Sequence, residues 1–229
     1  MSSPAPLNLE SAVHKRYTSL ADGCGSLACG GALDFAAPAE GEVLVDLGSG
    51  RGRDVVRAAQ QVGPNGKAIG IDRTQAMIEK AASTIPPGLD NVSFVCCDLA
   101  ALEVESASAD VVISNCTINH APDKTAVYRE IHRILKPGGR FVVSDVIAEQ
   151  ALPESVRSDP EAWAACYGGA IPKDEYIAAI TTAGFDKVEI LQRSRPYEKG
   201  GVMIRSMTIR GCKQAQPNAA NMALAKGGE

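Results

Sequence analysis

The sequence lacks the long apolar run that a membrane-spanning helix needs. No stretch approaches the roughly 18 consecutive apolar residues required. The first residues, Met1-Ser-Ser-Pro-Ala-Pro, contain neither the basic segment nor the apolar segment of a secretory signal. We therefore expect a soluble, cytoplasmic protein with no membrane partner.

A concentrated charge of one sign is also missing. The net charge is −4 at pH 7, and no long basic run occurs among the 229 residues. Nucleic acid is therefore not expected as a partner, because surfaces that bind it concentrate Lys and Arg. Apolar residues make up 45% and charged residues 22% of the chain, which is typical of a globular protein with one sizeable core.

Cysteines are present, but without the spacing of a zinc site. The seven are Cys24, Cys29, Cys96, Cys97, Cys116, Cys166 and Cys212. They include no C-x-x-C pair, and the three histidines lack ligand spacing. An odd number in a protein expected to be intracellular disfavours a disulfide framework. Catalytic or metal-binding roles are then favoured for some of them, whereas Cys96 and Cys97 on a predicted strand are interpreted as core residues.

The stretch Val43-Leu-Val-Asp-Leu-Gly-Ser-Gly-Arg-Gly-Arg-Asp54 predicts a buried strand, a glycine turn and the start of a helix. Gly48, Gly50 and Gly52 allow a sharp turn and the close approach of a ligand to the backbone. Asp46 lies at the end of the strand, where a buried carboxylate needs a partner. This combination indicates a binding site for a nucleotide-like cofactor.

The rest of the pattern predicts strands that alternate with helices. Further strands are predicted at 67–72, 92–98, 110–115 and 141–147, with a closing hairpin of 187–192 and 202–210 through Gly200-Gly201. Such alternation is typical of a parallel sheet covered by helices. We therefore predict an α/β protein with a doubly wound, mostly parallel, seven-stranded sheet and a closing antiparallel hairpin.

The predicted site discriminates between two cofactor classes. A dinucleotide site has a third glycine where this chain has Arg53. Acids follow the first three strands, at Asp46, Asp72 and Asp98. Carboxylates repel a pyrophosphate but suit the cationic methyl donor S-adenosylmethionine, whose ribose diol would bind Asp72 and whose adenine amino group would bind Asp98. S-adenosylmethionine is therefore the predicted cofactor.

Across about residues 40–210 the chain resembles the class I S-adenosylmethionine-dependent methyltransferases. Within them it resembles the arsenite methyltransferase family, most specifically in Ser114-Asn-Cys-Thr-Ile-Asn119, and further in Asp46-Leu-Gly-Ser-Gly, Gly63-Pro-Asn-Gly-Lys, Gly70-Ile-Asp72, Pro122-Asp-Lys and Leu135-Lys-Pro-Gly-Gly. The resemblance implies the sheet order 3-2-1-4-5-7-6. It also implies that the substrate is trivalent arsenic held by Cys29, Cys116 and Cys166. His120 departs from the family, which tends to have an apolar residue there, and we interpret it as a surface or loop residue and not as a catalyst.

The predicted organisation and site residues follow. Residues 1–39 are predicted to form a lid and substrate segment that is irregular over 1–30, 40–212 the methyltransferase domain with a substrate-binding insertion at 150–171, and 213–229 a disordered tail. The residues predicted to bind the cofactor are Asp46, Gly48, Ser49, Gly50, Asp72, Arg73, Met77, Asp98, Leu99, Asn115 and Tyr17. Met77 is placed against the adenine, with a place on the apolar face of its helix as the open alternative, and Tyr17 is placed in the lid.

Soft thiolates suit trivalent arsenic, whose lone pair would remain free to attack the sulfonium methyl group. Cys24 or Cys29 would help to return the arsenic to the trivalent state, with a thiol reductant of the thioredoxin or glutathione type. We expect a monomer or weak dimer with a role in arsenic detoxification or metabolism. Two alternatives stay open: a methyltransferase for a small organic C, N or O acceptor, and a thiol-based metalloid binder without turnover.

Overall fold

The structure is a computed structural model and describes residues 6–23 and 30–215. The strands are β1 Val43–Leu47, β2 Lys67–Asp72, β3 Val92–Cys96, β4 Ala109–Asn115, β5 Leu135–Ala148, β6 Val188–Arg193, β7 Tyr197–Lys199 and β8 Val202–Cys212. The helices are α1 Pro6–Leu20, α2 Ala32–Ala36, α3 Arg53–Val62, α4 Gln75–Ser83, α5 Lys124–Ile134, α6 Glu154–Arg157, α7 Pro160–Ala164 and α8 Lys173–Thr182. A 3₁₀ turn spans Ile118–His120.

One sheet organises the molecule, in the order β3-β2-β1-β4-β5-β8-β6. Strands β1 to β5 are parallel, and β8 runs antiparallel between β5 and β6. The predicted mostly parallel sheet with an antiparallel end is therefore confirmed. The short β7 adds a pairing that was not predicted, because the turn at Gly200-Gly201 joins β7, not β6, to β8.

Helices cover both faces of the sheet, which explains why its strands are apolar throughout. Leu44 of β1 packs in a cluster with residues of α2 and α3. Its neighbours Val45 and Leu47 face the opposite cluster, which contains residues of α5 and α8. Alternate side chains of a strand point to opposite faces, so both sets are buried.

The prediction that residues 1–30 are irregular is wrong for part of that segment. Residues Pro6–Leu20 form α1. The missed signal is an apolar recurrence at Leu9, Val13, Tyr17 and Leu20, which places these side chains on one helical face. Val13 on this face is buried, whereas His14 on the opposite face is exposed. Cys24 and Cys29 lie outside the described residues.

The start of the predicted disordered tail is ordered. The Lys213 ammonium group donates hydrogen bonds to His132 O at 2.7 Å and to Leu135 O at 2.8 Å. Its backbone pairs with the glycine turn at the start of β5, through Gly138 N to Lys213 O at 3.0 Å. Residues 216–229 of that predicted tail lie outside the described part of the chain. No helix within residues 6–23 and 30–215 is both long enough and apolar enough to cross a membrane.

The sheet order reverses between β1 and β4. From β1 the chain proceeds outward to β2 and β3, and from β4 it proceeds the other way to β5. Connections therefore diverge at the carboxyl ends of β1 and β4, which leaves a crevice between them. This is the position at which a parallel sheet of this kind receives its ligand.

Replacing Phe141 with alanine should strongly destabilise the larger core. Its ring is fully buried between Tyr128 and Phe185, with ring centroids 5.4 Å and 4.7 Å away. We expect Phe141→Ala to lower the free energy of unfolding by about 3–5 kcal/mol, measured by urea denaturation. The same change at Phe35, which is 36% exposed, should cost less than half as much. Equal losses at the two sites would contradict this account of the core.

Candidate active site

A cleft of about 640 Å³ occupies the crevice at the carboxyl ends of β1, β2 and β4. Its wall includes nearly all residues predicted to bind the cofactor, namely Tyr17, Asp46, Gly48, Ser49, Gly50, Asp72, Arg73, Asp98, Leu99 and Asn115. Met77 is the exception. It belongs to the buried face of α4 with Ile78 and Ala81 and does not line the cleft, so its assignment to the adenine is corrected to a core role.

The glycine turn brings backbone close to the cleft, as its sequence predicts. Gly48 has φ +75°, and a Cβ there would lie 2.0 Å from Thr117 Oγ1. Gly50 has φ +51°, but a Cβ there would meet no atom within 4 Å. The turn is therefore packed against the β4 side at Gly48 and open at Gly50, so that a ligand can approach its backbone.

Asp72 holds the turn to the end of β2. Its Oδ2 accepts a hydrogen bond from Gly50 N at 3.0 Å, and its Oδ1 accepts one from Thr74 N at 2.9 Å. Burial raises the pKa of Asp72, while these hydrogen bonds oppose the rise. Thr74 occupies the N-cap position of α4, although its side chain makes no capping bond to the helix.

The buried carboxyl groups at the ends of β1 and β2 favour a positively charged ligand. Asp46 is 4% exposed, and its pKa is raised well above the ordinary value by burial and by the neighbouring charges of Asp54 and Asp72. A positively charged ligand would offset this repulsion, whereas a pyrophosphate would add to it. Ser49 Oγ is buried against Gly70 of β2 and has no hydrogen-bond partner among the described residues. The sulfonium and ammonium groups of S-adenosylmethionine fit this set.

Helix α1 forms one wall of the cleft through Glu10, Val13 and Tyr17. Arg73 ties this helix to the rim, since its guanidinium lies 3.5 Å from Glu10 Oε2 and 3.8 Å from Asp98 Oδ2. The end of the helix is held in the same way. Lys80 lies 3.8 Å from Asp22, and the side chain of Arg51 donates to Gly23 O.

Two of the predicted arsenic ligands come together beside the cleft. Cys116 follows β4, lines the cleft and is 6% exposed. Cys166 follows α7 and packs against the same small apolar cluster. Their backbones are left-handed, with φ +55° and +70°, and only Ala37 and Ala107 share this feature among the described residues other than glycine. Such strain is often found at functional sites.

The Cys166 thiol lies in a group that joins α1 to the 3₁₀ turn. Its Sγ is 3.3 Å from Tyr17 Oη and 3.3 Å from His120 Nε2, and the latter two atoms are 3.2 Å apart. Burial and the neighbouring Cys166 raise the pKa of Tyr17. Tyr17 thus contacts both the cofactor cleft and a predicted substrate ligand.

His120 lies in the turn after β4, as interpreted, but it is not a surface residue. His120 is 8% exposed and lines the cleft, and burial lowers its pKa to about 4. Its ring contacts the ring of Tyr17 on α1, with centroids 5.5 Å apart, and its Nε2 lies against the Cys166 thiol. Its position four residues after Cys116, just beyond the end of β4, was the signal that could have identified it.

Fold and cleft together define a class I S-adenosylmethionine-dependent methyltransferase. A family model described as "Methyltransferase domain" matches residues 38–215. The arsenic(III) S-adenosylmethionine methyltransferase of Chlamydomonas reinhardtii has a similar structure, with a TM-score of 0.72 and 30% identity, covering 96% of this chain and 76% of that one. This chain belongs to the arsenite methyltransferase family, as its motifs predict, and its cofactor is S-adenosylmethionine.

Curated relatives give the same result over much of the chain. The arsenite methyltransferase of Halobacterium salinarum is 42% identical over 182 residues, covering 79% of this chain and 46% of the relative. That of Aquipseudomonas alcaligenes is 37% identical over 194 residues, covering 80% and 54%. The chain thus spans about half the length of the curated relatives it matches.

Asp72→Asn should weaken cofactor binding. The amide has a single acceptor oxygen, so it cannot accept hydrogen bonds from Gly50 N, from Thr74 N and from a ribose hydroxyl at once. We expect the dissociation constant for S-adenosylmethionine to rise by about 10-fold to 100-fold, measured by isothermal titration calorimetry. Asp110→Asn is the matched control, because Asp110 binds Val43 N and Lys136 at the opposite end of the sheet. An equal loss in both variants would count against the assigned site.

His120 should make the fold sensitive to acid. Its pKa is about 4 in the folded chain and 6.5 ordinarily, so unfolding is favoured by proton uptake below 6.5. The stability is fully present above pH 6.5 and falls by about 3 kcal/mol as the pH drops to 4. In urea denaturation, His120→Gln should show a shallower fall than wild type, whereas His14→Gln, which alters an exposed side chain, should follow wild type. Parallel curves for all three proteins would contradict the assignment.

Proposed function

We propose that this protein transfers a methyl group from S-adenosylmethionine to a trivalent arsenical held by the thiolates of Cys29, Cys116 and Cys166. The observation that carries the proposal is that Cys116 and Cys166 pack against the same apolar cluster beside the cofactor cleft, each with a left-handed backbone. These residues are far apart in sequence, and a metalloid held between them would lie next to the methyl donor. Soft thiolates suit arsenic.

A described neighbour of Cys29 supports its inclusion. Gly30 directly follows Cys29 in the sequence. A Cβ at Gly30 would lie 2.3 Å from Ser144 Cβ and 2.7 Å from Asn115 Oδ1. Asn115 immediately precedes Cys116, and Ser144 O accepts a hydrogen bond from Cys116 N at 2.8 Å. The chain next to Cys29 is therefore packed against the strand ends that carry Cys116.

In the proposed reaction each thiol replaces one hydroxyl ligand of the arsenical. The S–H proton leaves with that hydroxyl as water, and an S–As bond forms. S-adenosylmethionine supplies an electrophilic methyl group. The arsenic lone pair forms the new As–C bond while the C–S bond of the donor breaks, with its electron pair passing to sulfur. The residues hold the two reactants in line, so that no strong general base is needed for this step.

The walls of the cleft support this role by removing water from the reacting atoms. Tyr17 covers Cys166 from the α1 side, and His120 covers it from the 3₁₀ turn. His120 is neutral at physiological pH because burial lowers its pKa. It therefore adds no positive charge to repel the sulfonium group.

Methylation leaves the arsenic oxidised by two electrons. We include in the proposal that a further thiolate attacks an arsenic-bound sulfur. A disulfide bond forms, the As–S bond breaks, and the electron pair of that As–S bond returns to arsenic. Cys24 is our candidate for that thiolate. An external thiol reductant of the thioredoxin or glutathione type would then restore the protein thiols. Arsenic detoxification or metabolism is the proposed role, in the cytoplasm.

The test is incubation of the protein with S-adenosylmethionine, glutathione and either arsenite or methylarsenite. We expect methylated arsenic and S-adenosylhomocysteine in mass spectrometry, and a loss of at least about 100-fold in rate for Cys116→Ser, since serine lacks a soft ligand atom. Cys212→Ser, which changes an exposed cysteine on β8, should retain the wild-type rate.

Other outcomes distinguish the alternatives. Arsenical binding without S-adenosylhomocysteine would indicate a non-catalytic metalloid binder. Methylation of an organic acceptor that survives in Cys116→Ser would indicate the organic-acceptor alternative. Absence of any methylated arsenic from both substrates would end the leading proposal.

A further inference from the structure

Asn119 lies at the centre of a buried polar group that the proposed chemistry does not use. It is 1% exposed and lies in the 3₁₀ turn, three residues after Cys116. Its Nδ2 is 2.9 Å from Asp145 Oδ1, 2.6 Å from Val146 O and 3.4 Å from Cys166 O. One amide group therefore contacts both β5 and the segment that carries Cys166.

The same short part of β5 also holds Cys116. Ser144 O accepts a hydrogen bond from Cys116 N at 2.8 Å, and the next residue, Asp145, accepts from Asn119. The Asp145 carboxylate is itself fixed, because Tyr176 donates to its Oδ2 at 3.1 Å. Asp145 is 3% exposed and has little room to turn. It therefore orients the amide of Asn119.

The segment that carries Cys166 is packed directly on Asn119. A Cβ at Gly169 would lie 2.0 Å from Asn119 O, so the two backbones touch. Cys166 itself has φ +70°, a conformation that persists only when its surroundings enforce it. The Asn119 side chain, which reaches Cys166 O, is one of the groups that enforce it.

We propose that Asn119 is a positioning residue that sets the separation of the Cys116 and Cys166 thiols for the trivalent arsenical. This inference rests on the proposed function, since it assigns a purpose to the distance between the two thiols. An arsenic atom bonded to both sulfurs accepts only a narrow range of separations, so a small displacement of one segment costs affinity. Cofactor binding does not depend on this separation.

The residue type matters because the NH₂ group of Asn119 faces three hydrogen-bond acceptors and so must be a donor. Its amide faces a carboxylate and two carbonyl oxygens. Aspartate at this position keeps the shape but replaces the donor with an acceptor. It would also bring a second negative charge beside buried Asp145, which is costly. The segment of Cys166 would then be pushed away from β5.

Trp163 gives a direct readout of arsenical binding. It is the only tryptophan of the chain, three residues before Cys166. We would titrate phenylarsine oxide, a trivalent arsenical, into full-length protein without cofactor and record Trp163 fluorescence. Asn119→Ala should raise the dissociation constant of this probe by about tenfold, the effect of losing one hydrogen bond to a charged network. The dissociation constant for S-adenosylmethionine, measured by calorimetry, should change by less than about twofold.

Tyr128→Phe is the matched control. Tyr128 donates to Tyr176 Oη at 3.2 Å, at the far end of the same buried group, and contacts neither cysteine segment directly. Its loss should lower the thermal midpoint without changing affinity for phenylarsine oxide. Asn119→Asp is the second variant, for use if Asn119→Ala does not fold. It should raise the dissociation constant of phenylarsine oxide at least as much.

The outcomes separate this inference from the proposed function. If wild type neither binds phenylarsine oxide nor methylates arsenite, the proposed function fails. If wild type does both and an Asn119 variant binds the probe as tightly as Tyr128→Phe does, Asn119 has no positioning role. Equal weakening of probe and cofactor in a folded Asn119 variant would also overturn the inference, because it would indicate a general structural role.

Discussion

The structure depends on the reversal of strand order between β1 and β4. Because the chain leaves these two neighbours in opposite directions, their carboxyl ends carry no crossing connection and remain open. The glycine turn after β1 and the turn containing Cys116 after β4 are thereby brought face to face, in contact at Gly48 and Thr117. The cofactor cleft and the proposed acceptor site adjoin for this topological reason, before any individual side chain is considered.

Sequence reasoning was sufficient where the signal was local. The strands and the acids at their ends could be predicted because a buried run followed by Asp46 or Asp72 is visible in a few residues, and position at a strand end then implies position at the cleft. Met77 was assigned wrongly because helical spacing alone does not say whether an apolar side chain faces ligand or core. The environments of His120 and Asn119 could not be predicted from the local pattern, since they are made by residues 26 to 103 positions away.

Electrostatics and backbone strain divide the site into two parts. On the cofactor side, Asp46 and Asp72 are buried carboxylates whose raised pKa values record unfavourable desolvation, which a bound cation relieves. On the proposed acceptor side the unfavourable element is the left-handed backbone at Cys116 and Cys166, which costs about 1–3 kcal/mol at each residue. The first cost is one that a ligand can remove, whereas the second is borne by the packing around the two cysteines.

Helix α1 is held at the cleft by surface ion pairs and by buried contacts. On the cofactor side it is fastened by Arg73 to Glu10 and by Lys80 to Asp22, ion pairs whose side chains are between 32% and 96% exposed. Such pairs are individually worth about 0–1 kcal/mol and are screened by salt. The ion pairs alone therefore hold the helix only weakly, and its place at the cleft depends on buried Val13 and on the contacts of Tyr17 with Cys166 and His120. One wall of the cofactor cleft thus rests on the same side chains that cover Cys166.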